Sequence, residues 1–296
     1  MTTDPPPVRG RRRWLVAATV TWAIVLVVLA GQAVRHGRPT VRAQTTIADA
    51  LPTVDRAIAD VADVGAGAGA VAEIGGYRQV DPSCSITLVR DGVRYERGVT
   101  LYVPAGREPA LLDRINAGLP RGYRSELDRS GDYKLTADAG DFVAVRGSIV
   151  GAGQVRVVVE TGCRPLSGPV AEESVLPEDS VLPGASVVPG ASASPATGRQ
   201  TASQTVVREV LAILGVPRAS WRIHRVACPT GGSVSTLAAD GPPGSAPSSL
   251  RDRLAGSAPT AVLARADRYV YRSGPVGVVA RTDDTAVTVT ATTGCR

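Results

Sequence analysis

Histidine is the most common general base in enzymes, and this chain contains two, His36 and His224. His36 follows directly after a long apolar run, where an imidazole adds positive character next to a membrane. His224 lies in the segment WRIHRV, whose alternation predicts a strand, and we expect it to be a surface residue of that strand. Neither histidine therefore predicts catalysis.

Two acidic corners are the next candidates for chemistry. Asp138 and Asp141 flank Gly140, and Asp283 is followed by Asp284. Paired carboxylates serve in acid–base catalysis and as Ca²⁺ ligands. Because neither corner belongs to a loop dense in oxygen ligands, we interpret these residues as turn-forming aspartates.

Two further patterns resemble functional motifs without completing them. The acid–base pair Asp113-Arg114 recurs as Asp252-Arg253, each time on a short predicted helix. Such a pair is typical of a surface ion pair or a helix cap. The run GAGAGA, from Gly65 to Ala70, lacks the Lys-Ser/Thr of a phosphate-binding loop and follows a helix. We therefore predict no catalytic residue, no cofactor and no enzyme activity.

The four cysteines are the only predicted site residues: Cys84, Cys163, Cys228 and Cys295. An even number of cysteines beyond an apolar N-terminal segment indicates disulfides in an oxidising compartment. Zinc is the alternative, but it favours closely paired cysteines, and these are far apart in the chain. The sequence therefore predicts disulfides and no metal.

An uncharged apolar run extends over 21 residues, from Trp14 to Val34. A helix of this length reaches ~31 Å, about the thickness of a bilayer's hydrocarbon core. The preceding tail, residues 1–13, carries four arginines, which favour a cytoplasmic N-terminus. We predict a single-pass signal-anchor at 14–34 in the plasma membrane, with all later residues extracytoplasmic. A signal peptide cleaved after Ala33 is the alternative.

The formal net charge of +6 is confined to the N-terminus. Residues 1–43 contain seven arginines and one aspartate, and residues 44–296 are neutral. Since a nucleic-acid-binding surface needs its own excess of cations, the charge pattern argues against a nucleic-acid partner.

The part after the apolar run contains a repeat. Three segments of the first copy match three of the second in the same order: ITLVRDG with STLAADG, LLDRINAGLP with LRDRLAGSAP, and QVRVVVETGCR with AVTVTATTGCR. Each copy has one cysteine before its first segment and one within its last. We therefore expect two related domains at 45–164 and 201–296, with Cys84 bonded to Cys163 and Cys228 bonded to Cys295. In this alignment the second copy lacks a counterpart of Val93 to Pro104.

Each copy is predicted to be α+β, with an antiparallel sheet and two helices on one of its faces. Apolar residues at helical spacing from Ile47 to Val61 predict the first helix, with Pro52 in its first turn. Asp91-Gly92 predicts a hairpin turn. Alternating residues from Val155 to Val159 predict the last strand.

Residues 165–200 separate the two copies, and a proline recurs there every sixth residue, from Pro177 to Pro195. This composition predicts a disordered Pro/Ser/Gly/Ala-rich linker, and a hexapeptide β-helix is the less favoured alternative.

The sequence thus predicts a single-pass bacterial envelope protein that presents two disulfide-stapled domains outside the membrane. The expected role is binding or scaffolding, with the membrane and another envelope protein as partners. An exported enzyme acting on a cell-envelope substrate is the alternative.

Overall fold

The computed structural model describes residues 18–28, 45–170, 174–176, 195–229, 231–242, 249–258, 260–283 and 285–295. The chain forms two compact units, Met1–Gln44 and Thr45–Arg296. In the first unit, helix α1 covers residues 18–28. His36 lies outside the described residues.

The predicted fold class, α+β with a transmembrane helix, is wrong. Helix α1 lies within the predicted span 14–34, whose other residues are outside the described ones. Among the described residues no helix is long and apolar enough to cross a membrane. The single-pass plasma-membrane topology that depended on residues 14–34 is therefore unsupported. The described part of the larger unit consists mostly of strands. The sequence pattern did not reveal several of these strands, because they contain Gly, Pro or polar residues.

The first half of the larger unit is a six-stranded antiparallel sheet with two helices. Its strands lie side by side in the order β1-β2-β6-β5-β4-β3. The elements in chain order are α2 (Ile47–Gly67), β1 (Val71–Thr87), β2 (Arg90–Tyr102), α3 (Glu108–Gly118), a 3-10 turn (Arg121–Tyr123), β3 (Glu126–Asp128), β4 (Lys134–Asp138), β5 (Ala144–Gly151) and β6 (Gln154–Glu160).

The second half is a seven-stranded antiparallel sheet with the order β10-β11-β12-β13-β9-β8-β7. Its elements are β7 (Ser174–Leu176), α4 (Pro195–Leu214), β8 (Ser220–Ala227), β9 (Ser233–Gly241), α5 (Leu250–Leu254), β10 (Ala261–Ala264), β11 (Arg268–Ser273), β12 (Val276–Thr282) and β13 (Val287–Thr293). Apart from β7, the order of helices and strands repeats that of the first half, as the internal repeat predicts.

The structure gives the segment STLAADG a different counterpart in the first half from the one in the sequence alignment. In each half the second strand pairs with the strand that precedes TGCR, through Leu101 with Val155 and through Gly241 with Val287. Ser235 to Gly241 therefore corresponds to Tyr95 to Leu101, not to Ile86 to Gly92. The second half consequently has a counterpart of part of the segment from Val93 to Pro104. It lacks instead the long outer part of the β1–β2 hairpin.

That outer hairpin turns at a different place from the predicted one. Thr87 pairs with Arg90, so the turn residues are Leu88 and Val89 rather than Asp91-Gly92. Asp91 pairs with Ser85 inside the ladder. Leu88 and Val89 are fully exposed at the tip. The Asp-Gly turn signal is overridden because Gly92 lies against the backbone of Arg164. A Cβ at Gly92 would lie 2.6 Å from the carbonyl oxygen of Arg164.

Helix α2 begins at Ile47, five residues before Pro52, which lies inside the helix. The backbone N–H of Thr46 donates to the Asp49 carboxylate at 3.1 Å and satisfies one of the donors at the helix start. One face of the helix, including Val54, Ile58 and Val61, is buried in the first-half core.

Two parts of the predicted linker, 165–200, carry regular structure. Ser174–Leu176 extends the second sheet as edge strand β7 beside β8. Helix α4 starts at Pro195, a residue whose fixed φ and missing N–H suit the first position of a helix. Residues 177–194, with most of the hexapeptide period, lie outside the described residues.

Both disulfides predicted from the repeat are present, Cys84–Cys163 and Cys228–Cys295. In each half the bridge joins the end of the first strand to the residues just after the last strand. Disulfides persist in oxidising compartments, which indicates an extracytoplasmic location.

The two halves pack against each other within the larger unit. One end of their interface is apolar and buries Val71, Tyr102, Leu263, Val270 and Val279 together. The approach is close: a Cβ at Gly277 would lie 2.8 Å from Val71. Beyond this apolar end the facing surfaces of the two sheets become polar.

Candidate binding cleft between the two sheets

Alternation along β13 divides its side chains between two environments. Val287, Val289 and Ala291 belong to the core of the second half, with helices α4 and α5. Thr288 and Thr290 point to the opposite side and line a cleft facing the first half. Since successive side chains of a strand alternate, this polar face follows directly from the sequence VTVTATT.

The first half supplies the opposite wall of the cleft from β1, β2 and β6. A register shift between Ile74 and Tyr77 places Gly75 and Gly76 in a bulge of β1. Gly98 lies next to it on β2, and a Cβ there would be 3.2 Å from Nη2 of Arg156. Because these three glycines have no side chains to fill the cleft, the Arg156 guanidinium lies directly over Gly98.

The cleft has a volume of about 400 Å³. That lies within the range of about 300–1,000 Å³ typical of small-molecule sites. Its charged and hydroxyl-bearing lining residues are Glu73, Tyr77, Arg78, Glu96, Thr100, Arg156, Arg222, His224, Thr236, Asp240, Arg281, Thr288 and Thr290.

Each carboxylate of the cleft is bound by a cleft arginine. Arg281 contacts Glu73 at 2.6 Å across the two halves. Arg78 pairs with Glu96, and Arg222 pairs with Asp240. The three acidic groups are therefore neutralised by three of the four arginines.

Two of these carboxylates accept further hydrogen bonds from hydroxyls. The Tyr102 hydroxyl donates to Glu73 at 2.7 Å, and the Thr288 hydroxyl donates to Asp240 at 2.6 Å. Burial and the neighbouring Glu73 carboxylate raise the pKa of Tyr102, so its phenol keeps the proton that it donates. The acids are thus held in place by the protein itself.

Arg156 and Thr290 differ from these groups. Among the described residues Arg156 has no carboxylate within ion-pair distance. The Thr290 side chain is 2% exposed, and its hydroxyl has no hydrogen-bond partner in the described part of the chain. A buried hydroxyl without a partner costs about 1–3 kcal/mol of stability. The cleft therefore contains one uncompensated cation and one unsatisfied hydroxyl.

His224 also lies in the cleft wall, at 9% exposure, and is not the surface residue that the sequence predicts. Burial above all, together with the positive charges of Arg97 and Arg222, lowers the pKa of His224 to about 4. The imidazole is therefore neutral at pH 7. Its strand position pairs with Thr236, as Arg78 pairs with Glu96 in the first half.

A second cavity, of about 250 Å³, lies where the end of α2 meets the second half. Its lining is mostly small or apolar and includes Ala62, Ala66, Val71 and Gly277. Cys295 of the second disulfide also borders it. We assign no role to this cavity.

The remaining sequence candidates have local roles. Asp138 accepts from the Gly140 N–H at 2.9 Å, and Asp283 accepts from the N–H groups of Thr285 and Ala286, each at 2.8 Å. These are turn-forming aspartates, although Asp284 lies outside the described residues. Within the described ranges no group of His, Cys, Asp and Glu has the arrangement of a metal site.

The repeated Asp-Arg pairs are structural as well. Asp113 binds Arg129 at 2.5 Å rather than its neighbour Arg114. The backbone N–H of Asp252 donates to Ser249 at 3.4 Å at the start of α5. Gly65 and Gly67 of the GAGAGA run belong to the last turn of α2, and the segment contributes no phosphate-binding loop.

The sequence pattern does not reveal the cleft, although it contains part of the signal. The alternation in β13 and in WRIHRV, on β8, marks one polar and one apolar face for each strand. It does not show which surface the polar face meets, and only the packing of the two halves brings Arg156 and Thr290 into one cleft.

No protein-family model matches this sequence. The curated proteins also contain no match to it. The structure is similar to the crystal structure of a DUF4853 family protein from Actinomyces odontolyticus, with 14% sequence identity and a TM-score of 0.32. The likeness covers 65% of this chain and 93% of that chain. A likeness of this strength assigns neither fold nor function.

Proposed function

We propose that this chain is an extracytoplasmic binding protein and that a small molecule occupies the cleft between its two sheets. The two disulfides support a location outside the cytoplasm. The volume of about 400 Å³ and the mixture of fixed polar groups support a small ligand rather than a flat protein surface.

The observation that carries this proposal is the buried hydroxyl of Thr290. Buried polar groups in native proteins are nearly always hydrogen-bonded, so an unsatisfied one in a cleft is accounted for by a ligand or by bound water. Thr290 lies on the rigid central strand β13, which is paired on both sides, by β12 and β9. A hydroxyl held in this way contributes specificity with little entropic cost.

The rest of the cleft is preorganised around this hydroxyl. The pairs of Arg281 with Glu73 and of Arg222 with Asp240 hold the side chains on both walls in one arrangement. These side chains are already ordered in the folded protein, so binding of a ligand costs little additional conformational entropy. Three roles predicted from the sequence stay predictions: binding to another envelope protein, scaffolding, and the alternative of an exported enzyme. The cleft geometry does not bear on any of them.

The test is native mass spectrometry of the full chain purified from the exported fraction of its host. We expect an additional small-molecule mass on the wild-type protein. Thr290→Val keeps the shape of the side chain but removes the hydroxyl, and it should reduce the bound fraction. The same change should stabilise the empty protein by about 1 kcal/mol, since it removes an unsatisfied buried group.

A second variant keeps the test informative. Ala238→Leu introduces a larger side chain from β9 into the cleft and should also abolish binding. Ala264→Leu makes the same change at an exposed strand position and should leave binding intact. If Ala238→Leu and Ala264→Leu bind the same mass equally, or if the wild type carries no ligand and gains no stability from its envelope extract, the proposal is wrong.

A further inference from the structure

The unequal number of charges in the cleft points to the chemistry of the ligand. Arg78, Arg222 and Arg281 are each bound to one carboxylate of the cleft. Arg156 alone keeps its charge uncompensated among the described residues that line the cleft. A group with a single negative charge would complete the set.

The position of Arg156 leaves its guanidinium available. The residue is exposed and lies on the opposite face of β6 from its neighbours Val155 and Val157, which are buried in the core. Its Nη2 lies over Gly98, which has no side chain to cover it. A guanidinium presents its N–H groups in a plane and binds carboxylate and phosphate oxygens in bidentate geometry.

The other available groups in the cleft suit an oxyanion. The Thr290 hydroxyl can donate to one of its oxygens, and its burial would strengthen this bond. The carboxylates that would repel an anion, Glu73 and Asp240, are each held by an arginine and a hydroxyl. The cleft therefore offers hydrogen-bond donors to an anion, and the carboxylates among its described lining residues are all paired.

Resting on the proposed function, we infer that the ligand carries a compact oxyanion, a carboxylate or a phosphate, which binds between Arg156 of the first half and Thr290 of the second. Since each half provides one of the two groups, the site exists only when both halves are packed together. The two repeated halves thus supply two different walls. When the strands that precede TGCR are aligned through their ladders, Thr290 corresponds to Val158 and Thr288 corresponds to Arg156.

The test uses three defined probes with the full chain: inorganic phosphate, succinate and its neutral analogue succinamide. Calorimetry should give a dissociation constant of about 1 mM or below for phosphate or for succinate, and no binding of succinamide. Which of the two anions binds more tightly identifies the source of the oxyanion, phosphate ester or carboxylic acid.

Two charge-neutralising variants provide the matched comparison. Arg156→Gln should weaken binding of the preferred anion by about tenfold or more. Arg146→Gln removes the same charge from the same face of the sheet, one strand away and outside the cleft, and should change the affinity by less than about twofold. An equal loss in both variants would mean non-specific attraction and would overturn the inference.

His224 reports where the probe binds. In a His36→Gln protein it is the only histidine, so its imidazole gives the single histidine signal in the NMR spectrum. Succinate or phosphate should shift that signal saturably, and succinamide should not. Binding without any shift would place the anion elsewhere and refute the inference. A neutral molecule found on the purified protein would refute the oxyanion but leave the binding function standing.

Discussion

Arg281 and Glu73 join the two halves of the larger unit, with 2.6 Å between Nη1 and Oε1. Glu73 is largely buried and also accepts the Tyr102 hydroxyl, so this carboxylate ties β12 of one sheet to β1 and β2 of the other. The contact belongs to the same interface that forms the cleft. The stability of the halves and the binding of a ligand are therefore linked.

Replacement of Glu73 by Gln should lower the free energy of unfolding by about 1–2 kcal/mol. It removes a charge-assisted bond to Arg281, whose side chain is partly exposed, and keeps an acceptor for Tyr102. Chemical denaturation measures the change, and Glu126→Gln, at an exposed position on β3, is the control. A Glu73→Gln/Arg281→Gln double-mutant cycle without coupling energy would show that the pair does not join the halves.

Replacement of Cys295 by Ser should destabilise both halves, not only the second. The bridge closes 67 residues, for which the chain-entropy estimate is about 4 kcal/mol. Cys228, Val226 and Val234 also pack into the core that contains helix α2. Hydrogen exchange should therefore become faster in α2 as well as in α4. Unchanged protection of α2 would show that the first half folds independently.

Replacement of Gly92 by Ala should cost about 1–3 kcal/mol, because its Cβ would overlap the backbone of Arg164. Strand β2 contacts the segment after β6 here, with the Val93 N–H donating to the Arg164 carbonyl at 2.8 Å. The fully buried Arg164 guanidinium in turn donates to carbonyls, including that of Thr161 at 2.6 Å. Thermal unfolding measures the loss. Gly131→Ala meets nothing within 4 Å and should be close to neutral.

His224 should make the stability depend on pH between about 7 and 5. Burial lowers its folded-state pKa to about 4, whereas the ordinary value of about 6.5 applies when the chain is unfolded. As the pH falls, the unfolded chain binds the proton first, so the free energy of unfolding decreases, by about 2 kcal/mol between pH 7 and 5. Arg97 and Arg222 oppose protonation, and Asp240 favours it.

Denaturation at several pH values measures this effect. His224→Gln should remove most of the dependence above pH 5, and His36→Gln should retain it. An identical slope in wild type and His224→Gln would mean that the imidazole is protonated as easily in the folded protein as in the unfolded one.

The sequence by itself determined the features that depend on local order and on the repeat. The spacing of apolar residues after Thr46 specifies a helix with one buried face, because side chains three and four apart share that face. The two TGCR segments align the last strands of the two copies, and from this the pairing of Cys84 with Cys163 and of Cys228 with Cys295 follows. The alternation of Val and Thr in β13 likewise assigns each residue to one side of its sheet.

Tertiary structure alone decided what those faces meet. The Asp91-Gly92 signal was overridden because Gly92 must accommodate the backbone of Arg164, 72 positions further along the chain. The exposed strand histidine became a cleft residue because a second sheet covers its face. Arg156 and Thr290 belong to different halves, and nothing in either segment shows that they share a cleft. Alternation defines the two faces of a strand, but the partner of each face is set by contacts between distant residues, and a linear pattern does not contain them.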